Sequence, residues 1–481
     1  MDVQYDPPMR NPDFEVDWEP DDPENPRNWS IWYRSFIVGA VSFSTTCVIL
    51  YSTSYTSGVP GIQKEFGIES RTMVLLGLTT YLLGLAAGCL ILAPLSEMYG
   101  RRLIYLVTTA LFAVLMIPVA LAPNLAAVLV SRVFSGFFGS ATIASAPGTV
   151  NDVVSEKHRA LAFSLWSLGA MNGPVLGPII GGFVYQYLGW RWTNWVVLVC
   201  AGVSLVALAF SKETYAPAIL RAKTQKKQKE TEDLRWWSRH DTSHNGWKLL
   251  RMNLARPFSM AVFEPICLFW NLYVGVVYAV LFLCFVGYPI VFEEERGWSP
   301  GLAGLGYCGI GVGVVLAVLA EPLMRTLINL HPRDPLTGQI SPEASVSPVC
   351  IGSILIPIGE IWFSWTARPS IHWIWPILAG VPFGLGNGLV FIYATNYLAG
   401  SYTIYAASAL AGNSMVRYIF GGVLPLAGSQ MYHRRGSEYS GTMLALLEIA
   451  LIPIPLVFYR YGWKIRQRSP IISRRERDRL M

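Results

Sequence analysis

The chain has 481 residues, 53% of them hydrophobic and 14% charged. A soluble domain carries about 25% charged residues, so most of this chain must face lipid or other helices. The formal net charge of +6 is scattered through polar segments rather than gathered on one patch, which excludes nucleic acid as the partner it serves.

Residues 1–33 form an acidic segment with no apolar run that could act as a cleaved secretory signal. Twelve apolar stretches follow, each long enough to cross roughly 30 Å of hydrocarbon. They cover 34–57, 72–96, 103–122, 124–150, 160–186, 192–211, 259–290, 300–324, 348–366, 371–397, 402–430 and 441–460. With the N-terminus placed in the cytosol, the polar segments on that side hold 28 Lys and Arg and those outside hold 7. That bias predicts cytosolic termini and an unglycosylated Asn28 in Asn28-Trp-Ser30. The polar segment 212–258 divides the stretches six and six. The fold expected is therefore an all-α integral membrane protein: a bundle over 34–211, a cytosolic basic linker over 212–258, a second bundle over 259–460 and a basic tail over 461–481. The linker's charge run Gln225–Glu230 reads as a solvated face, or else as a surface docking the acidic N-terminal segment or anionic lipid. Seven cysteines lie in or beside apolar stretches without a C-x-x-C pair and read as small packers.

Three motifs carry mechanism. Between the second and third stretches runs Ala93-Pro-Leu-Ser-Glu97-Met-Tyr-Gly100-Arg101-Arg102. Gly100 permits a tight turn, and an acid facing guanidinium groups across helix ends can latch one side of a carrier. In the fourth stretch Arg132 falls near the middle of the bilayer, where a charge is expensive and needs partners or a wet cavity. That stretch ends at Asp152, which faces Arg101, Arg102 or the loop Lys157-His158-Arg159 as partner. The fifth stretch places Gly169, Gly173, Gly177 and Gly181 at steps of four, one side-chain-free helical face. Pro174 and Pro178 bend the same helix. Such a face lets another helix approach closely, and Gly309, Gly313 and Ala317 repeat the step in the eighth stretch.

These motifs resemble the signatures of the major facilitator superfamily, specifically its twelve-span drug:proton antiporters of the fungal multidrug/polyamine efflux type. The loop motif matches with Ala93 in place of its first glycine and Glu97 as its acid; the span-four motif matches at Leu129, Arg132 and Gly136. The antiporter motif of span five matches at Gly173, Gly177, Pro178, Gly181 and Gly182. Similarity extends through Pro23–Trp29, Gly189–Trp192, Lys212–Pro217, Tyr288–Glu294 and Tyr405–Arg417, covering about residues 20–465.

The resemblance implies export of a small organic molecule (drug, toxin, polyamine or secondary metabolite) by proton antiport, with two bundles rocking about a central site. The proton gradient, rather than a cofactor, supplies the energy. It implies that spans five and eight face each other, so that the Gly169–Gly181 face slides against Gly309–Gly313; the alternative is that each stripe packs inside its own bundle. It places the cavity between spans one, four, seven and ten, aided by five, eight and eleven. Candidates to line it are Trp166, Asn172, Trp270, Asn271, Tyr273 and Tyr278, and further along Asn387, Tyr393, Asn396 and Asn413. Arg417 reads as an anion-binding group or as a helix–helix tie.

A proton-coupled carrier needs a carboxyl whose surroundings change between its access states. Asp152 acting with Arg132 is the first choice; Glu264, Glu321, Glu360 and Glu448 are the others. Glu264, next to Pro265, reads equally as a cavity carboxyl or as a helix N-terminal charge, and Glu360 and Glu448 as structural pairs. The protein expected is a monomer in the plasma membrane. Uptake of a polyamine or organic acid is the competing function, and a non-transporting sensor a more distant one. The sequence contains no metal-ligand cluster, nucleotide loop or Ser/His/Asp constellation that would point to an enzyme.

Overall fold

Side-chain caps start three long helices of the first bundle. Ser30 caps α1 (Ile31–Ser57) by accepting the Tyr33 N–H at 3.3 Å. Ser70 caps α3 (Arg71–Tyr99) and Asn124 caps α5 (Leu125–Val153) in the same way. The computed structural model describes residues 12–19, 21–154, 158–239, 246–333, 340–402 and 405–469. The first bundle adds α4 (Arg101–Ala120), α6 (Arg159–Leu188) and α7 (Trp190–Ala209), with a short helix α2 (Val59–Phe66) after α1. The polar segment contributes α8 (Ala216–Thr231) and α9 (Gly246–Phe263). The second bundle holds α10 (Pro265–Pro289), α11 (Pro300–Leu305), α12 (Cys308–Leu319), α13 (Glu321–Asn329), α14 (Val346–Thr366), α15 (Ile374–Tyr402), α16 (Ala406–Val423), α17 (Pro425–Leu451) and α18 (Pro453–Arg468).

Among the described residues eleven segments are long and apolar enough to cross a membrane, the last running over Ala406–Arg468. At 1.5 Å per residue that last segment would reach about 95 Å, three bilayer cores. Gly436, at φ +77°, turns the chain within it and makes two crossings, twelve in all. The seventh crossing starts at Pro265 rather than at 259. Proline drives the preceding residue out of the helical region, and Glu264 sits at φ −88°, ψ 116°. The eighth, expected to run unbroken over 300–324, is three helices interrupted at Gly306–Tyr307 and at Ala320.

Chain alternation puts the N-terminal segment, the α3–α4 turn and α8 on one face, here called the basic face. The acidic N-terminal segment docks on the linker there. Asp22 pairs with Lys223 at 2.5 Å, Phe14 packs edge-on to Trp236, and the backbones of Phe14 and Val16 bond to Trp237.

The glycine stripe packs inside its own bundle rather than against the second stripe. A Cβ at Gly173 would meet Ile49 at 2.9 Å, at Gly177 the Ser54 N at 2.8 Å, and at Gly181 the Ser54 O at 2.9 Å. All belong to α1, so the stripe is a seam inside the first bundle. Gly309 and Gly313 likewise abut Ile377, Val381 and Leu385 of α15, inside the second bundle. The two stripes do not face each other. Between the bundles, on the far face, it is Pro178 and Gly182 that close against Gly304 and Pro300. The Pro178 carbonyl lies 2.5 Å from where a Gly304 Cβ would stand. Gln186 accepts the Gly301 N–H at 3.0 Å, Thr79 donates to the Gly422 carbonyl at 2.7 Å, and Arg71 pairs with Glu294.

Candidate functional site

With the far face shut, the space between the bundles opens toward the basic face. A cavity of about 670 Å³ lies there, between α3, α5 and α6 on one side and α13, α15 and α16 on the other. Glu97, Arg101 and Glu321 stand at its outer end, and Trp166, Phe391, Asn413 and Arg417 deeper in. Ala406 to Arg417 on α16 spans eleven residues, so the wall is about 16 Å deep.

Its walls are mostly apolar and aromatic, and Arg417 is the cation in its depth. Only 5% exposed, its guanidinium lies 4.8 Å from the Phe391 ring centre and 5.0 Å from both Tyr278 and Tyr418. One terminal nitrogen donates to the Tyr418 hydroxyl at 3.3 Å, and Nε has no partner among the described residues. A guanidinium stacked on rings and lacking a carboxylate is disposed to take an anionic group from a ligand. Trp166 reaches across to Phe391, with ring centres 6.4 Å apart, and its indole N–H donates to Thr45 at 3.4 Å. Asn413 donates to Asn271 at 3.0 Å, tying α16 to α10.

At the outer end Arg101 Nε donates to Asp152 at 2.7 Å, and the guanidinium stacks 5.0 Å from the Tyr215 ring centre. Burial, the largest influence, lifts the Tyr215 phenol to about 12. The Glu213 carboxylate accepts the backbone N–H groups of Arg101 and Arg102 at 3.0 Å each, an anion on the start of α4. Arg102 donates to the Ala209 carbonyl, and Arg221 of α8 to the Glu97 and Met98 carbonyls at the end of α3. Gly100, at φ +96°, makes the turn; a Cβ there would meet Glu213 at 2.6 Å. The gate motif therefore knits the first bundle to the linker and does not bridge the two halves.

The expected union of Arg132 with Asp152 does not exist. Twenty residues of one helix, about 30 Å, separate them. Arg132 is fully buried in its bundle. It donates to the carbonyls of Gly77 at 2.6 Å and Tyr51 at 3.3 Å, under the rings of Tyr51, Tyr55 and Tyr81. It is a structural clasp of α1, α3 and α5, outside the cavity. Glu264 is also away from the cavity: it accepts from Tyr402 at 3.2 Å and Ser469 at 2.7 Å, joining the α10 start to the α15 end and the tail. Glu360 and Glu448 are buried within the second bundle. Lys157 lies outside the described residues.

Of the expected lining residues, Trp166, Tyr393, Asn396 and Asn413 border the cavity. Asn172 bonds to the Leu168 carbonyl, and Asn387 to that of Phe383. Trp270 packs on Tyr397 and Phe458, Tyr273 on Trp270, and Tyr278 behind Arg417. Sequence reasoning missed Phe163, Asn151, Phe391 and Thr395. Phe391, Ile392, Thr395, Asn396 and Ala399 share one face of α15 at helical spacing, a pattern that was readable.

Residues 41–425 match the family model described as Major Facilitator Superfamily. The chain belongs to the major facilitator superfamily. This superfamily transporter is 38% identical over 460 residues to the ascochitine biosynthesis cluster MFS transporter of Didymella fabae, covering 94% of this chain and 88% of that one. It is 38% identical to the citrinin biosynthesis cluster MFS transporter mrr1 of Monascus ruber, covering 94% and 91%. The efflux pump FUB11 of Gibberella moniliformis is 36% identical, covering 95% and 77%. Among solved structures, the proton:xylose symporter XylE superposes with a TM-score of 0.63 at 13% identity over 90% of this chain and 96% of that one, a likeness of fold alone.

Proposed function

We propose that this transporter exports an amphipathic organic acid or phenolic metabolite from the cytosol by proton antiport with alternating access. The observation that carries the reading is Arg417: a buried guanidinium with a free Nε, ringed by Tyr278, Phe391 and Tyr418 at the depth of a mostly apolar cavity. Aromatic faces suit a flat or hydrophobic body, and the cation in the depth suits one acidic group on it. Relatives whose names attach them to ascochitine and citrinin biosynthesis clusters support a secondary metabolite as the class. The basic face is cytosolic in this reading, in keeping with the 28-to-7 excess of Lys and Arg on that side. Of the carboxyls near the cavity, Glu97 is the better placed to exchange a proton with it, since Asp152 is held by Arg101 and Glu321 by Arg325. The coupled cycle binds substrate at Arg417, closes the basic face, opens the Pro178–Gly304 contact and releases outward, and a proton entering from outside resets it.

The test is transport in sealed proteoliposomes loaded with aromatic carboxylic acids, with and without an imposed pH gradient. Substrate movement driven by the gradient, and lost in Arg417→Ala, is expected. Movement indifferent to the gradient removes the antiport, and unchanged substrate movement in Arg417→Ala removes the assigned site.

A further inference from the structure

The glycine seam between α1 and α6 ends at Gly169 on its way toward the basic face. One and two turns further on, α6 carries Leu165 and Leu161, which are 51% and 56% exposed. On the facing stretch of α1, a Cβ at Gly39 would meet nothing within 4 Å. The two helices, in backbone contact higher up, stay tied here by the Ser42 hydroxyl, which donates to the Leu165 carbonyl at 3.5 Å, and leave on their outer side a groove of about 490 Å³. Val38, Phe43, Leu161 and Leu165 give it apolar walls, and Arg34 and His158 stand at its mouth. This groove is separate from the transport cavity, with which it shares only Ala162's helix and no lining residue.

Three observations fix its occupant. The groove faces away from the bundle axis in a chain that crosses a membrane, so its walls meet acyl chains. Its mouth lies at headgroup level: Trp32 and Ile31, at 84% and 63% exposure, precede Arg34 at the start of the crossing, where aromatic side chains mark the interface. Arg34 has one terminal nitrogen on the Arg27 carbonyl at 3.3 Å and a Nε with no partner among the described residues. A guanidinium with a free donor above an apolar slot matches a phosphate above an acyl chain.

We infer that the α1–α6 groove binds one anionic phospholipid, its phosphate on Arg34 beside His158 and one acyl chain along Gly39, Phe43, Leu161 and Leu165. The lipid fills the outer groove between two helices of the first bundle. It rests on the membrane span alone and not on the direction or coupling of transport.

The full-length protein is purified in mild detergent, incubated with phosphatidylserine or phosphatidylcholine, and weighed intact by native mass spectrometry. Phosphatidylserine is expected to stay bound at one copy in preference to phosphatidylcholine. Arg34→Gln lowers that retention about fivefold, the scale of one basic group at an anionic membrane surface, and Arg34→Lys restores most of it. Gly39→Phe fills the slot and displaces the lipid. Gly202→Phe, at a position on α7 equally free of neighbours, retains it and controls for bulk added at a helix surface. Equal retention of both lipids by the wild type overturns the site, as does undiminished phosphatidylserine in both Arg34→Gln and Gly39→Phe.

Discussion

Gly182→Val should hold the far face open. The glycine hydrogen that the mutation replaces points at the Pro300 backbone carbonyl of the other bundle, closer than any real Cβ can sit. Backbone on α11 cannot swing aside as a flexible side chain can, so the bundles must separate there. Overpacking of this kind costs about 1–3 kcal/mol. That cost falls only on the state in which α6 and α11 touch, so the access equilibrium moves by a factor of about 5 to 150 toward the outward-open form. Spin labels at Arg71 and Glu294, which pair across the same closure, read the change as a longer distance population in pulsed electron resonance. Gly177→Val is the internal control. Its new side chain meets Thr53 and Ser54 of α1, within one bundle, so it should lower thermal stability and leave the label distances unchanged. The reasoning fails if Gly182→Val leaves the distances as in wild type, or if Gly177→Val lengthens them equally.

Arg417→Ala should weaken binding of an anionic aromatic substrate roughly 10- to 150-fold, the worth of a charged hydrogen bond at about 1.5–3 kcal/mol; Arg417→Lys should recover part of it, since an ammonium lacks the planar stack on Tyr278 and Tyr418. Equilibrium binding by scintillation proximity checks both. Arg101→Ala and Asp152→Asn should each destabilise the first bundle, and the double variant should lose less than their sum, because the two side chains are each other's partner at 2.7 Å. A thermal-shift cycle measures that coupling. Glu65 on α2 is held below its usual range chiefly by the Arg191 guanidinium, and Trp190 adds a hydrogen bond at 2.6 Å. A carboxylate lowered in the folded state stabilises above its unfolded value near 4.5 and loses that contribution as pH falls through the folded one. Melting temperature should therefore drop less on acidification in Glu65→Gln than in wild type.

The crossings were legible because each is a long apolar run, and the bundle division because one charged segment separates six from six. The partner of each smooth face was not. A four-residue glycine step says that a helix can come close, and leaves open which one. The deciding information lay in α1, whose Ser42, Thr46, Thr53 and Ser54 present a small-residue face matching Gly169–Gly181. The burial of Arg132 followed from its depth, but its carbonyl partners at Tyr51 and Gly77 come from two earlier helices that no local pattern links to it. Asp152 finds Arg101, one of the partners its sequence position allowed. Arg417 was readable as a buried cation and the α15 face carrying Phe391 as a helical stripe, but their meeting was not, because only the approach of α15 to α16 brings that ring to the guanidinium.

The clasp between the N-terminal segment and α8 has a practical use. Asp22 on Lys223, Arg221 on the α3 end and Glu213 on the α4 start all bind the front of the linker to one half of the molecule. A small rigid domain grafted at the Glu232–Asp233 bend would ride with that half as a fiducial for electron microscopy. The angle between it and the opposite six helices would then report each stage of turnover without a label inside the pore.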